Sequence, residues 1–273
     1  MREIVYILLH MPDLFTNDTK KQASNQEYTA QDIEVLEGLE PVRRRPGMYI
    51  GGTDENALHH LVSEVFDNSM DEAVAGHATY IGLQLHADGS VTIYDNGRGI
   101  PVDPHPKYPK KSALEVIMTT LHSGGKFSNK VYYTSGGLHG VGISVVNALS
   151  DSLSVEVARD GTIWKQTYAK GVKKTPLKEI GDAGKKRGTT VTFHPDNEIF
   201  DPNIKFKPKR LYQLARSKAY LFKGVEIRWE CDPSLISEKQ NVPEKDTIHF
   251  PNGLADYLST ITENQDTVCK EPS

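Results

Sequence analysis

Between Ser63 and Ala73 the chain reads SEVFDNSMDEA, which gathers Glu64, Asp67, Asn68, Asp71 and Glu72 into one short stretch. At the pitch of an α-helix, Glu64, Asn68 and Asp71 share a stripe, Asp67 lies beside it and Glu72 points elsewhere. A carboxylate one turn before an amide suits two jobs. Glu64 can polarise a water as general base. Asn68 can offer its side-chain oxygen to Mg2+, a hard ion that takes oxygen ligands and phosphates. An acidic, solvated helix face would have the same composition, so the stretch alone leaves both readings open.

Two later stretches bear on the choice. DNGRGIP, residues 95–101, puts Asp95 at the end of a strand reading VTIYD. A carboxylate there can accept a hydrogen bond from the exocyclic amine of a base. Gly97 and Gly99 would let the backbone approach a planar ligand, and Pro101 fixes the exit. A plain Asp-Asn-Gly turn is the alternative. SGGLHGVG, residues 135–142, sets four glycines just ahead of a helix. Backbone N–H groups and the positive helix end can there cradle phosphate. The stretch is neither a P-loop nor a dinucleotide fingerprint. HSGGKF, residues 122–127, adds Lys126, which can reach phosphate or stay exposed.

These residues need elements to hold them. Residues 54–75 read as a helix, with Leu58, Leu61, Val62, Val65, Phe66, Met70 and Val74 at three- and four-residue spacing. Asp54 caps it and Gly76 ends it. TYIGLQLHADGSVTIYDNG reads as two strands joined at ADGS. Residues 112–121 form a helix with Ser112 and Glu115 as a capping box, and GISVVNALS forms another. LSVEVARDG, TIWKQTYAKG, GTTVTFHP and GVEIRWEC read as strands, and KPKRLYQLARSKAYLF as a helix. Upstream, residues 16–28 are a polar lead. Thr29 or Asp32 would cap a short helix carrying Ile33, Val35 and Leu36, ended by Gly38. PVRRRPGMYIGG reads as an ordered loop leading to a short element, its arginines a solvated face in one reading. The order lacks the strand–helix alternation of a doubly wound fold. It predicts an α+β sandwich, helices covering one face of a mostly antiparallel sheet.

Composition sets the bounds. A chain of 273 residues with 37% apolar residues accommodates one large domain, or one domain and a fragment of another. A net charge of -4 gives no basic footprint for nucleic acid. Cys231 and Cys269 lack metal-ligand spacing, which fits a reducing compartment. The apolar run at residues 5–9 is too short for a signal peptide or membrane span, so a cytoplasmic protein is expected.

EVFDNSMDEA, DNGRGIP and GGLHGVG, in that order, resemble the ATP-binding motifs of the GHKL superfamily. RRRPGMYIG, HSGGKFSNKVY and SGGLHGVGISVVNALS are similar to the ATPase subunit of the bacterial type IIA topoisomerases. KFSNKVY and RLYQLARSKAYLFKGVEI are more similar to the ATPase subunits of topoisomerase IV than to those of gyrase. The resemblance implies the Bergerat-type sandwich, with ATP and Mg2+ as cofactors. It implies Glu64 as general base, Asn68 as Mg2+ ligand and Asp71 as a polar pocket residue. Asp95 becomes the adenine-recognising carboxylate, with Gly99 and Thr189 completing the adenine contacts. Arg98, Ile100 and Pro101 line the pocket mouth, and Arg98 and Arg159 meet coumarin-type inhibitors. Lys126, Tyr132, Gly137, Leu138, His139, Gly140, Val141 and Gly142 cover the triphosphate. Tyr28 belongs to an arm that reaches a partner's nucleotide site.

The expected layout is a flexible extension over 1–23, the ATP-binding domain with its dimerisation arm over 24–252, and the start of a transducer domain over 253–273. In the full enzyme the implied partners are the topoisomerase's A subunit and DNA, with ATP-dependent homodimerisation. This chain ends before the family's glutamine–threonine–lysine loop, whose lysine contacts the γ-phosphate. The resemblance therefore implies ATP binding with weak hydrolysis, a monomer, and no strong DNA or membrane binding. Chaperone and mismatch-repair ATPases of the same superfamily are the alternative enzymes. A nonenzymatic nucleotide-controlled interaction module is the alternative class: Glu64 keeps hydrolysis possible, whereas a shortened chain would behave more like a binder.

Overall fold

The structure is a computed structural model describing residues 29–30, 34–123, 141–237 and 240–262. The chain divides into two compact units, 1–36 and 37–273. In the first, Thr29, Ala30, Glu34 and Val35 are exposed and residues 34–36 are not helical, while Asp32 and Ile33 of the expected helix lie outside the described residues. A short helix follows Gly38. It is α1 (Glu40–Arg44), where Pro41 sits in the first turn with its φ already set for a helix. PVRRRPGMYIGG is thus not a loop, because α1 is followed directly by α2 (Gly47–Ile50).

The second unit continues with α3 (Glu55–Val74), β1 (Tyr80–Leu85), β2 (Val91–Asp95), β3 (Pro104–His105) and β4 (Tyr108–Ser112). Next come α4 (Ala113–Thr119), α5 (Gly142–Ala148), β5 (Ser150–Arg159), β6 (Thr162–Ala169), β7 (Val172–Lys173), β8 (Lys178–Asp182) and β9 (Gly188–Pro195). Then follow α6 (Pro208–Leu221), β10 (Glu226–Cys231), β11 (Lys245–His249) and α7 (Leu254–Thr262). The main sheet runs β11-β10-β1-β2-β9-β5-β6-β7, with β8 also on β6. Its β1–β10 pair is parallel, whereas β1–β2, β2–β9, β5–β9 and β5–β6 are antiparallel. The α+β reading therefore holds. Sequence patterning gave no sign of the β3–β4 hairpin, the short strands β7 and β8, or β11, because each is short or exposed.

Alternate residues of β5, β9 and β10 are buried, as a sheet with one covered face requires. The covering helix α3 packs Leu58, Leu61, Val62, Val65 and Phe66 into one core with Ile81, Leu83, Ile93, Val155 and Val191. Asp54 caps α3 by accepting from the Ala57 N–H at 2.9 Å. Ser112 likewise accepts from the Glu115 N–H at 3.0 Å, but the Glu115 carboxylate takes Lys173 Nζ at 2.8 Å. The arginine triplet also divides. Arg43 donates to the Ala148 carbonyl at the end of α5 and pairs with buried Asp196 at 2.7 Å. Arg44 pairs with Glu40 in solvent.

His59, buried on α3, ties α3 to α6. Its Nδ1 lies 2.8 Å from the Glu55 carbonyl, and its Nε2 accepts from the Lys207 N–H at 2.9 Å. Both contacts fit the neutral ring with its proton on Nδ1, and burial holds its pKa below the usual value. Below pH 6.5 the unfolded chain then binds a proton that the native state refuses. This stabilisation is complete above about pH 6.5 and lost as pH falls towards the folded-state pKa, with a slope of at most about 1.4 kcal/mol per pH unit. Between pH 7 and pH 5, Tm should fall more steeply for the parent than for His59→Gln. Equal slopes in a calorimetric pH series would count against it.

Candidate active site

The acidic stretch of α3 is divided among separate partners. Glu64 Oε1 lies 3.2 Å from His60 Nε2, one turn earlier. That hydrogen bond raises the His60 pKa above its usual value. The pair is readable from the sequence as an i,i+4 spacing, yet His60 was not among the expected site residues. Asp67 turns away to α6, where Lys218 Nζ holds it at 2.5 Å. Asn68 is half-buried and Asp71 buried. Glu72, for which the sequence offered no role, grips the loop after β2. It accepts from the Arg98 N–H at 2.8 Å and pairs with Arg98 Nη2 at 2.7 Å.

That loop positions Asp95. Its carboxylate is buried and accepts from the Gly97 N–H at 2.8 Å. Ser69 Oγ donates at 2.8 Å, and the Thr189 N–H at 3.4 Å. Burial pushes the Asp95 pKa up to about 6, against the pull of these three donors. The Ile100 N–H donates to Thr189 Oγ1 at 3.2 Å, and Arg159 Nη1 to the Gly99 carbonyl at 2.9 Å. Asp95, Gly99, Ile100, Arg159 and Thr189 are thus linked through β2, β5, β9 and one loop. Pro101 is exposed beside them.

Glycine is also required here by packing within the protein. A Cβ on Gly97 would meet Glu72 Oε2 at 2.8 Å and Asp95 Oδ1 at 2.9 Å. One on Gly142, at the start of α5, would fall on the Glu64 carboxylate, so α5 and Glu64 sit in direct contact. One on Gly188 would overlap the Asp95 carbonyl oxygen. Gly188 lies outside every quoted motif, and Ser69 lies within SEVFDNSMDEA without having been given a role. Of the expected phosphate-covering residues, Val141 and Gly142 are half-buried at the N-terminus of α5. Lys126, Tyr132, Gly137, Leu138, His139 and Gly140 lie outside the described residues, as do Tyr28 and the stretches 1–23 and 263–273.

Among the described residues no group of three or more His, Cys, Asp or Glu side chains is arranged to hold a metal ion. A Mg2+ carried on a triphosphate needs only one or two protein oxygens, the kind Asn68 supplies. Cys231 is a free, buried thiol, and burial pushes its pKa up to about 11. No helix among the described residues is long and apolar enough to cross a membrane.

Comparison with known proteins agrees with this geometry. The chain is 60% identical to the B subunit of DNA topoisomerase 4 from Rickettsia bellii over 265 residues, 96% of this chain and 39% of that protein. It is 60% identical to the corresponding protein of Caulobacter vibrioides over 253 residues, 93% of this chain and 36% of that protein. It is 47% identical to the B subunit of DNA gyrase from Clostridium acetobutylicum over 248 residues, 91% of this chain and 37% of that protein. This chain thus spans under two-fifths of the length of these curated relatives. The crystal structure of the 43K ATPase domain of Thermus thermophilus gyrase B, in complex with an aminocoumarin, superposes with a TM-score of 0.73 at 41% identity. That match covers 86% of this chain and 57% of the other. The model of the histidine kinase-, DNA gyrase B- and HSP90-like ATPases matches residues 53–199, more than half of the chain, and the chain belongs to that family.

Proposed function

We propose that this chain is the ATP-binding and ATP-hydrolysing domain of the ATPase subunit of a type IIA topoisomerase, of the topoisomerase IV type. The observation that carries the reading is the buried Asp95 carboxylate, held by Ser69, Gly97 and Thr189 in the same site as the Glu64 stripe of α3. Asp95 accepts the adenine amine, with Gly99 and Thr189 completing the base contacts. Arg98, Ile100 and Pro101 line the mouth. Arg159 braces the loop and, with Arg98, meets aminocoumarin-type inhibitors.

Glu64 takes the proton of the attacking water, and His60 holds its carboxylate. Asn68 would hold Mg2+, which would supply charge neutralisation at the phosphates, and Asp71 keeps the pocket polar. Positioning and charge neutralisation then carry most of the catalysis. Lys126, Tyr132, Gly137, Leu138, His139, Gly140, Val141 and Gly142 enclose the triphosphate. Tyr28 belongs to a dimerisation arm within 24–252, and residues 253–273 begin the next domain. In the cytoplasmic holoenzyme, ATP closes this domain as a dimer gate over DNA, with the topoisomerase's A subunit as partner. The higher identity to the topoisomerase 4 relatives than to the gyrase relative favours the first over the second.

Calorimetry with ATP, with and without Mg2+, tests the reading. One ATP should bind per chain, more tightly with Mg2+, and phosphate release should require Mg2+. Absence of nucleotide binding in both conditions would overturn it.

A further inference from the structure

Asp95 has two oxygens with different surroundings. Oδ1 faces two backbone donors, Gly97 N–H at 2.8 Å and Thr189 N–H at 3.4 Å. Oδ2 takes the Ser69 hydroxyl at 2.8 Å. Ser69 is 5% exposed and Asp95 8% exposed, so this bond is made largely away from solvent. Each carboxylate oxygen offers two lone pairs. Two donors already converge on Oδ1, so Oδ2 keeps the capacity to accept one more. The Ser69 bond also stops the carboxylate from rotating.

We propose that Ser69 is a specificity-positioning residue: its buried hydroxyl holds Asp95 as a fixed, ionised acceptor, so that a purine with a 6-amino group is taken in preference to one with a 6-oxo group. The inference rests on Asp95 as the base-recognising carboxylate and extends it to a residue that would touch no substrate.

The chemistry runs through the proton on Asp95. Ionised, it only accepts, and it pairs with the adenine amine. Protonated, it presents an O–H, which suits the oxo group of hypoxanthine and opposes the amine. Burial already favours the protonated form, and the Glu72 carboxylate adds to it. Ser69, Gly97 and Thr189 oppose this by donating to the carboxylate. The remaining charged neighbours are committed elsewhere or lie on the same helix. Arg98 is paired with Glu72, Arg159 donates to the Gly99 carbonyl, and Asp71 sits two residues beyond Ser69 on α3. Ser69 is therefore the side-chain donor on which the acceptor state depends.

The test compares ATP and ITP affinities by calorimetry at pH 6.5 and pH 7.5, for the parent, Ser69→Ala, Ser69→Thr and Asp95→Asn. Taking the ratio at each pH cancels the ionisation of the shared triphosphate. Ser69→Ala removes one oxygen from a small buried side chain. It should lower the ATP-to-ITP ratio roughly tenfold at pH 6.5 and less at pH 7.5. Ser69→Thr keeps the hydroxyl and should keep the ratio. A packing defect alone would weaken both nucleotides equally at both pH values. An unchanged ratio in Ser69→Ala, while Asp95→Asn collapses it, would overturn the role of Ser69 and leave base recognition by Asp95 standing. Parent-like ATP affinity in Asp95→Asn would overturn both.

Discussion

Glu64→Ala should abolish ATP turnover while leaving ATP binding nearly intact. A positioned general base contributes about a hundred- to ten-thousandfold, or roughly 3–5 kcal/mol of barrier. The structure argues for the full effect rather than a partial one. Glu64 is oriented from one side by His60 Nε2 at 3.2 Å and abuts Gly142 on the other, whereas Asp71, the other acid of its stripe, lies about two helical turns further along α3. Asp67 is committed to Lys218 and Glu72 to Arg98. Binding is spared because the loss removes a negative charge beside a polyanionic ligand. Affinity should stay within about threefold or tighten slightly. Glu64→Gln, which keeps the shape and loses the basicity, should be as inactive as the alanine variant. The measurement is steady-state phosphate release in the full-length ATPase subunit, with calorimetric ATP affinity beside it. Turnover within tenfold of the parent would remove Glu64 from the role of base.

Asp95→Asn should lose ATP affinity by roughly ten- to a hundredfold, from 1.5–3 kcal/mol for a hydrogen bond to a charged group. The substitution is nearly isosteric, so the cost is electrostatic. Three donors converge on the carboxylate, from Ser69, Gly97 and Thr189. An amide that keeps its oxygen on the backbone N–H groups of Gly97 and Thr189 puts its NH2 on the Ser69 side, where the hydroxyl can turn to accept from it but no acceptor is left for the base. The adenine amine then meets a competing donor. A pH signature accompanies this loss. With the Asp95 pKa pushed up to about 6 by burial, ATP affinity in the parent should weaken as pH falls through 6, where the acceptor becomes protonated. The asparagine variant should lack that component. Calorimetry from pH 5.5 to 7.5 checks both statements, and an unchanged affinity at pH 7.5 would dismiss adenine recognition by this residue.

Much of the site was legible in the sequence because its signals are local. The Asp54 cap, the heptad-like apolar spacing of α3 and the Glu64–Asn68–Asp71 stripe are all set by residues within a few turns of one another. The turn between β1 and β2 was equally readable. Gly89 has a φ of +86°, and its N–H donates to the His86 carbonyl at 2.9 Å. The start of α5 behind the glycine-rich run was expected too. Its order with the other motifs carried the resemblance that predicted the fold.

What the sequence could not supply are pairings across the sheet and between layers. Ser69 meets Asp95 from 26 residues away because α3 packs on the strand that ends in Asp95. Thr189 and Gly188 reach Asp95 only because β9, far along the chain, is the antiparallel neighbour of β2. Arg43 closes the end of α5 from 105 residues upstream, which no reading of an arginine triplet foresees. The same holds for the acids of SEVFDNSMDEA. Helical periodicity alone placed Glu64 and Asn68 on one stripe. Tertiary packing decided that Asp67 serves α6 and that Glu72 holds the base-recognition loop. The physical reason is that a helix fixes the angle at which a side chain leaves its axis, whereas its partner depends on which element the buried face brings within hydrogen-bond reach.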